Sequence, residues 1–147
     1  MGNHGNYCNR FPGEYRKYSG ELALSEYGVL AENKDLWDRV NCYDNSVLYN
    51  DFVVGSIIER AKQQPGKISV VYMSDHADDV FSMLGHNSSK FTYSMTQIPF
   101  IFWASDALRN EKTELFARLQ SRVNELFPND RFYDTIIGWA GIKTPHY

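Results

Sequence analysis

Ser74, Asp75 and His76 stand together directly after the β-branched run Ile68-Ser69-Val70-Val71-Tyr72-Met73. A hard carboxylate beside an imidazole is a pair that Zn²⁺ or another divalent ion accepts readily. Ser74 is placed to add a supporting hydrogen bond. The same three residues also read as a helix cap at a strand-to-helix junction, with the histidine merely exposed. His86 follows ten residues after His76, behind Gly85, and His4 lies between glycines near the start. Taken singly, each reads as a solvent-exposed loop histidine. Of the four histidines, however, three fall in loops near strand ends, which raises both. His146, in the tail, is assigned no role. Asp78 and Asp79 are acid–base candidates, or carboxylates that the dipole favours at a helix start. There is no Gly-x-Ser-x-Gly elbow, P-loop or Gly-x-Gly-x-x-Gly, and no nucleophile with an adjacent base.

The elements that must position these residues follow from periodicity. Leu36, Val40, Tyr43, Val47, Val54, Ile57 and Ala61 recur at spacings of three, four and seven, which predicts an amphipathic helix over about residues 33–63. Asn33 or Asp35 can cap it, and Pro65-Gly66 ends it. Residues 68–73 and 98–103 read as strands apolar on both faces. Leu108, Leu115, Leu119, Val123 and Leu126 predict a helix between residues 107 and 127. A last helix, capped by Asp130, carries Phe132, Ile136, Ile137 and Trp139 and stops at Gly141. The first thirty residues, punctuated by Gly and Asn, read as an irregular functional loop. The alternation predicts an α/β fold with the two strands as parallel neighbours and the long helix on one face. Two strands do not make a sheet. Either further strands lie near the N-terminus, or the chain is the later part of a larger α/β domain.

Composition sets outer limits. With 147 residues, a net charge of -3 and 22% charged residues, the chain is one globular domain without the basic surface that nucleic acid requires. Its most apolar stretch, residues 98–104, is too short to span a bilayer, and no cationic, apolar leader follows Met1. Cys8 and Cys42 are too few for a framework. They read as one bridge in an exported domain or as two packed thiols. Tyr and Phe are abundant, so a large aromatic core with polar tips is expected.

The order of motifs resembles the lipopolysaccharide phosphoethanolamine transferases of the alkaline phosphatase and sulfatase superfamily. The resemblance is carried by Gly2-Asn3-His4-Gly5, by Asn9-Arg10-Phe11-Pro12, and by Tyr43-Asp44-Asn45-Ser46-Val47-Leu48-Tyr49-Asn50-Asp51 in the long helix. Tyr72-Met73-Ser74-Asp75-His76, His86 and Ile98-Pro99-Phe100-Ile101-Phe102-Trp103 complete it. It covers residues 1 to about 142, and the gap from His76 to His86 is most similar to the branch that modifies heptose phosphate. The family usually reads Ser-Asp-His-Gly-Glu where this chain has Ala77 and Asp78. A positive φ at residue 77 would therefore strain the loop.

The resemblance implies that residues 1–147 are the C-terminal half of an α/β/α sandwich of the alkaline phosphatase/sulfatase type. It implies zinc, or another divalent metal, at Asp75 and His76, and phosphoryl or second-metal binding by His4 and His86. The threonine nucleophile and an acidic ligand would come from the first half of the domain, so this chain alone should be inactive. The implied donor is phosphatidylethanolamine and the acceptor a lipopolysaccharide phosphate. The implied setting is the periplasmic domain of a bacterial inner-membrane protein, with membrane contact only through preceding helices. A sulfatase or phosphodiesterase-type hydrolase of the same superfamily is the alternative enzyme, and a non-catalytic remnant the alternative of another class.

Overall fold

Helix α1, Lys34–Lys62, is the longest element of the computed structural model, which describes residues 4–23, 28, 32–143 and 145. Asn33 makes its cap: the side-chain oxygen accepts the N–H groups of Asp35 at 3.1 Å and Leu36 at 3.3 Å. Such a cap contributes about 1 kcal/mol and settles the choice between Asn33 and Asp35. Leu36, Val40 and Val54 are buried along the apolar stripe, while Val47 and Ile57, from the same stripe, are exposed.

The described part of the segment before α1 is irregular, as expected, and is punctuated by two short 3₁₀ turns. Turns at Tyr7–Asn9 and Gly13–Tyr15 lie in sequence before the helix, and Tyr7 and Leu22 join Leu36, Val40, Cys42 and Val80 in one buried cluster. Two devices hold the segment down. Cys8 and Cys42 form a disulfide. Asn45, fully buried, accepts the backbone N–H groups of Lys17 at 2.6 Å and Tyr18 at 2.9 Å, and its amide donates to the carbonyls of Tyr18 and Asn41.

Strands β1, Ser69–Met73, and β2, Phe100–Ala104, are hydrogen-bonded neighbours. They run antiparallel, which corrects the expected parallel pairing. Ser105, just after β2, donates its N–H to the carbonyl of Ile68, just before β1, at 2.8 Å. Beyond the other end Ala77 donates to Met95 at 2.9 Å. The physical reason lies in the connection. A parallel pair needs a crossover, usually helical, but residues 74–99 hold no α-helix, only turns, bends, 3₁₀ turns and one isolated bridge, and return beside the strand they left. Helix α1 faces the strands. Asn50 reaches the Tyr72 hydroxyl at 2.8 Å, and elsewhere helix and strands wall a cavity.

The helix expected over residues 107–127 is shorter and broken. Helix α2, Asp106–Glu111, and helix α3, Thr113–Ser121, are separated at Lys112, whose ψ is 40°. The Thr113 hydroxyl turns back to the carbonyls of Arg109 and Asn110, the local competition that bends helices at threonine. Val123 and Leu126 lie beyond α3 and are exposed, so they are not core. Helix α4, Phe132–Ala140, is led in by a 3₁₀ turn at Asn129–Arg131 instead of an Asp130 side-chain cap. It does stop at Gly141, whose φ of 71° allows Ile142 to donate back to Ile137 at 3.1 Å, a Schellman closure.

By contacts the chain falls into two units. The first is Met1–Gln64 with Val70–Trp103, and the second is Pro65–Ser69 with Ala104–Tyr147. The second is held by Trp139, which donates to the Ser69 hydroxyl at 3.1 Å, and by Lys112, which bonds the Trp139 carbonyl and lies over its ring. Among the described residues no helix is long and apolar enough to cross a membrane.

Candidate metal centre

Everything that the sequence singled out for chemistry lies in the first unit. The chain leaves β1 at Met73 and turns at once, because the Ser74 hydroxyl donates to the carbonyl of His76 at 2.7 Å. Ser74 thus holds the backbone of His76. Ala77 sits without left-handed strain, since Asn6 and Met83 are the non-glycine residues with positive φ among those described. The loss of the family's glycine is accommodated.

His76 Nε2 lies 3.7 Å from Asp75 Oδ2. Two donors this far apart can share one ion at about 2.0–2.2 Å from each. The Asp75 carboxylate accepts the backbone N–H of His76 at 3.0 Å. Hydrogen bonds from its own N–H and that of His76, with the imidazole nearby, hold Asp75 below the usual carboxylate range. His76 Nδ1 is 3.3 Å from the Ala77 carbonyl, a contact that favours Nδ1–H and leaves Nε2 with its lone pair.

His86 arrives by a second turn. Asp79 and Gly85 bridge, with Asp79 donating at 2.7 Å and Gly85 at 3.2 Å, and Gly85 takes a φ of 60° just before the histidine. His4 arrives by a third, where Arg10 Nε clasps the carbonyls of His4 at 2.9 Å and Gly5 at 3.1 Å. The three imidazoles meet. A nitrogen from each of His4, His76 and His86 lies within 4.8 Å of the others, and the ring centroids are 4.4–6.2 Å apart. Gly2 and Asn3 of the first motif, and His146, lie outside the described residues.

Asp78 and Asp79 do not begin a helix, which corrects that reading. Asp78 Oδ1 meets His86 Nδ1 at 2.9 Å and its Oδ2 accepts the Tyr7 hydroxyl at 2.5 Å. Burial pushes this carboxyl up, yet the Tyr7 and His86 hydrogen bonds prevail and hold it below its ordinary value. Burial, reinforced by Asp78, pushes the Tyr7 phenol far up. Asp79 is buried and accepts the Ser82 N–H at 2.8 Å, which closes the turn beneath Gly85. The Tyr7–Asp78–His86 chain was missed in the sequence. Its one signal is a carboxylate eight residues before a histidine that a glycine precedes.

His4 and His76 open on a cavity of about 700 Å³. His4, Asp75, His76 and Asp78 lie at its polar end, while Val47, Val54, Pro99 and Ile101 line an apolar wall. A site of imidazole nitrogens and one accessible carboxylate suits a borderline cation such as Zn²⁺. The donor set therefore fits the implied metal: His4, His76 and His86 form the cluster, and Asp75 lies beside it through His76.

Comparison with known proteins is consistent along the whole chain. A sulfatase family model matches residues 1–142. A phosphoethanolamine transferase, EptA, of Salmonella typhimurium strain LT2 is 30% identical across 100% of this chain, which spans 28% of that relative. EptC of Escherichia coli strain K12 is 34% identical over 72% of this chain and 19% of its own length. The chain thus spans about a quarter of the curated relatives it matches. Among solved structures, the soluble domain of lipooligosaccharide phosphoethanolamine transferase A from Neisseria meningitidis superposes with a TM-score of 0.72. The match has 22% identity and covers 94% of this chain and 42% of that one. The fold is therefore a partial α/β/α sandwich of the alkaline phosphatase/sulfatase type.

Proposed function

This chain belongs to the sulfatase family, and from that premise we propose that it is the C-terminal part of a catalytic domain that transfers phosphoethanolamine to a lipopolysaccharide phosphate. The observation that carries the reading is the convergence of His4, His76 and His86 beside Asp75 at the end of β1. Asp75 and His76 would hold zinc. When bound, zinc supplies a Lewis acid that polarises a phosphoryl oxygen and lowers the pKa of a coordinated hydroxyl.

The residues of this chain supply the setting. His4 and His86 face the ion or the phosphoryl group from other loops. The apolar wall of Val47, Val54 and Ile101 keeps part of the cavity dry, which strengthens each electrostatic contact inside it. The threonine nucleophile and an acidic ligand belong, on the family resemblance, to the part of the domain before residue 1. Phosphatidylethanolamine is the donor in this reading. The acceptor in this reading is a lipopolysaccharide phosphate, and the resemblance of the His76 to His86 gap to the branch that modifies heptose phosphate points to the core. The Cys8–Cys42 disulfide supports an oxidising compartment and hence the periplasm.

Expression of the whole protein carrying this segment in a lipopolysaccharide-producing host, followed by mass spectrometry of the lipopolysaccharide, tests the proposal. Phosphoethanolamine should appear on core phosphate and vanish in His76→Ala. Release of phosphate or sulfate from esters without transfer would identify a hydrolase, and no activity in a folded, zinc-loaded protein would identify a non-catalytic remnant.

A further inference from the structure

Asp78 is a loop carboxylate that is nearly as hidden as a core residue. Its side chain is 7% exposed, and both oxygens are engaged, one by His86 and one by Tyr7. A carboxylate anion can only accept, so the proton shared with His86 sits on Nδ1 of the imidazole. In the neutral ring that leaves Nε2 with a lone pair. A lone pair suits a cation and repels a phosphoryl oxygen.

The surroundings keep Asp78 from turning away. Tyr7 is 4% exposed, stands edge-on to Tyr43 at 5.2 Å, and lies under the Arg39 guanidinium at 5.2 Å. Arg39 is itself fixed, since its Nε donates to the Val80 carbonyl at 3.2 Å. The disulfide at Cys8 ties the turn that carries Tyr7 to α1. On the other side the Asp79–Gly85 bridge closes the loop that brings His86 back to Asp78.

We propose that Asp78 is a positioning residue that holds His86 in the Nδ1–H tautomer, with Tyr7 bracing the carboxylate, so that neutral His86 serves as a metal-ligand nitrogen rather than a phosphate donor. The assignment of the metal rests on the reading above, whereas the tautomer does not.

The test is ¹⁵N-histidine NMR of the metal-free protein at alkaline pH, where imidazoles are neutral, followed by zinc titration of the same samples. Wild-type His86 should show the Nδ1–H pattern. Asp78→Asn should shift it toward Nε2–H, with an unchanged circular dichroism spectrum, and should weaken zinc binding by about 10–100-fold. Tyr7→Phe should move both readouts in the same direction by less. A wild-type His86 in the Nε2–H form, or an Asp78→Asn protein with unaltered tautomer, overturns the proposal. If Asp78→Asn does not fold, the wild-type tautomer and Tyr7→Phe decide. If the tautomer behaves as expected but neither protein binds zinc, the positioning role stands and the metal-dependent reading falls.

Discussion

The rings of His76 and His86 lie 4.4 Å apart, centroid to centroid and tilted by 33°, and each has its Nδ1 engaged away from the other. His76 uses it on the Ala77 carbonyl and His86 on Asp78. Two imidazoles so close are costly when both are cationic and well placed when a cation shares their lone pairs. Isothermal titration with zinc should therefore show binding that weakens by more than about tenfold in His76→Ala, since loss even of an outer-shell partner costs that much. Acid should release the metal, because the ligands must be deprotonated to bind it. An affinity unchanged in His76→Ala would remove that residue from the site.

Purified residues 1–147 should not turn over a phosphodiester substrate, with or without zinc. In the proposed reading the threonine nucleophile comes from another part of the domain, and among the described residues no nucleophile has a base beside it. Steady zinc-dependent release of product from a chromogenic phosphodiester, absent in His76→Ala, would contradict this.

Reducing the Cys8–Cys42 bridge should cost stability on the order of 3 kcal/mol, because the link closes a loop with a sequence separation of 34. Urea unfolding with and without reductant measures it. The same treatment should lower zinc affinity, since His4 is held through the turn that Cys8 anchors.

Asn45→Ala should destabilise the first unit by about 2–3 kcal/mol, because the N–H groups of Lys17 and Tyr18 lose a buried acceptor. Asn45→Asp should recover part of this, as it keeps the accepting oxygen but not the donors to Tyr18 and Asn41. Thermal melts of the three proteins give the order.

Asp79 has its pKa lowered in the folded state. Burial acts to raise it and the Ser82 hydrogen bond, among others, overcomes that. Its contribution is therefore present above the unfolded carboxyl value, about 3.9, and is lost as pH falls through the lower folded value. Unfolding free energy should drop as pH falls below about 4, and Asp79→Asn should flatten that drop. An equally steep acid limb in Asp79→Asn would show that other carboxylates account for it.

Local signals in the chain were strong where a single element speaks for itself. The helix from Lys34, the Asn33 cap and the stop at Gly141 are all decided by neighbours within a few residues and stand where periodicity and capping put them, although Val47 and Ile57 of the stripe are exposed. The pairing sense of β1 and β2 was not legible, because an apolar strand looks the same in either direction. Only the non-helical character of residues 74–99 distinguishes the two. Val123 and Leu126 follow the helical spacing yet fall outside α3, where the Lys112 break and the end at Ser121 override the pattern. Around the metal centre, motif order pointed to Asp75, His76, His86 and His4. Asp78 was misread as a helix-start carboxylate, since its partners Tyr7 and His86 lie 71 and 8 residues away.

The excursion between β1 and β2 is pinned near both ends, by Ala77 on Met95 and by the Asp79–Gly85 closure, while Phe91 and Tyr93 between them are exposed. Residues 87–91 take part in neither closure, whereas Thr92 accepts the Met95 N–H at 3.1 Å and sits beside Asp79. Such an arrangement separates what must stay constant from what is free to diverge. It gives the fold a stretch in which sequence can vary apart from the closures that carry His76 and His86.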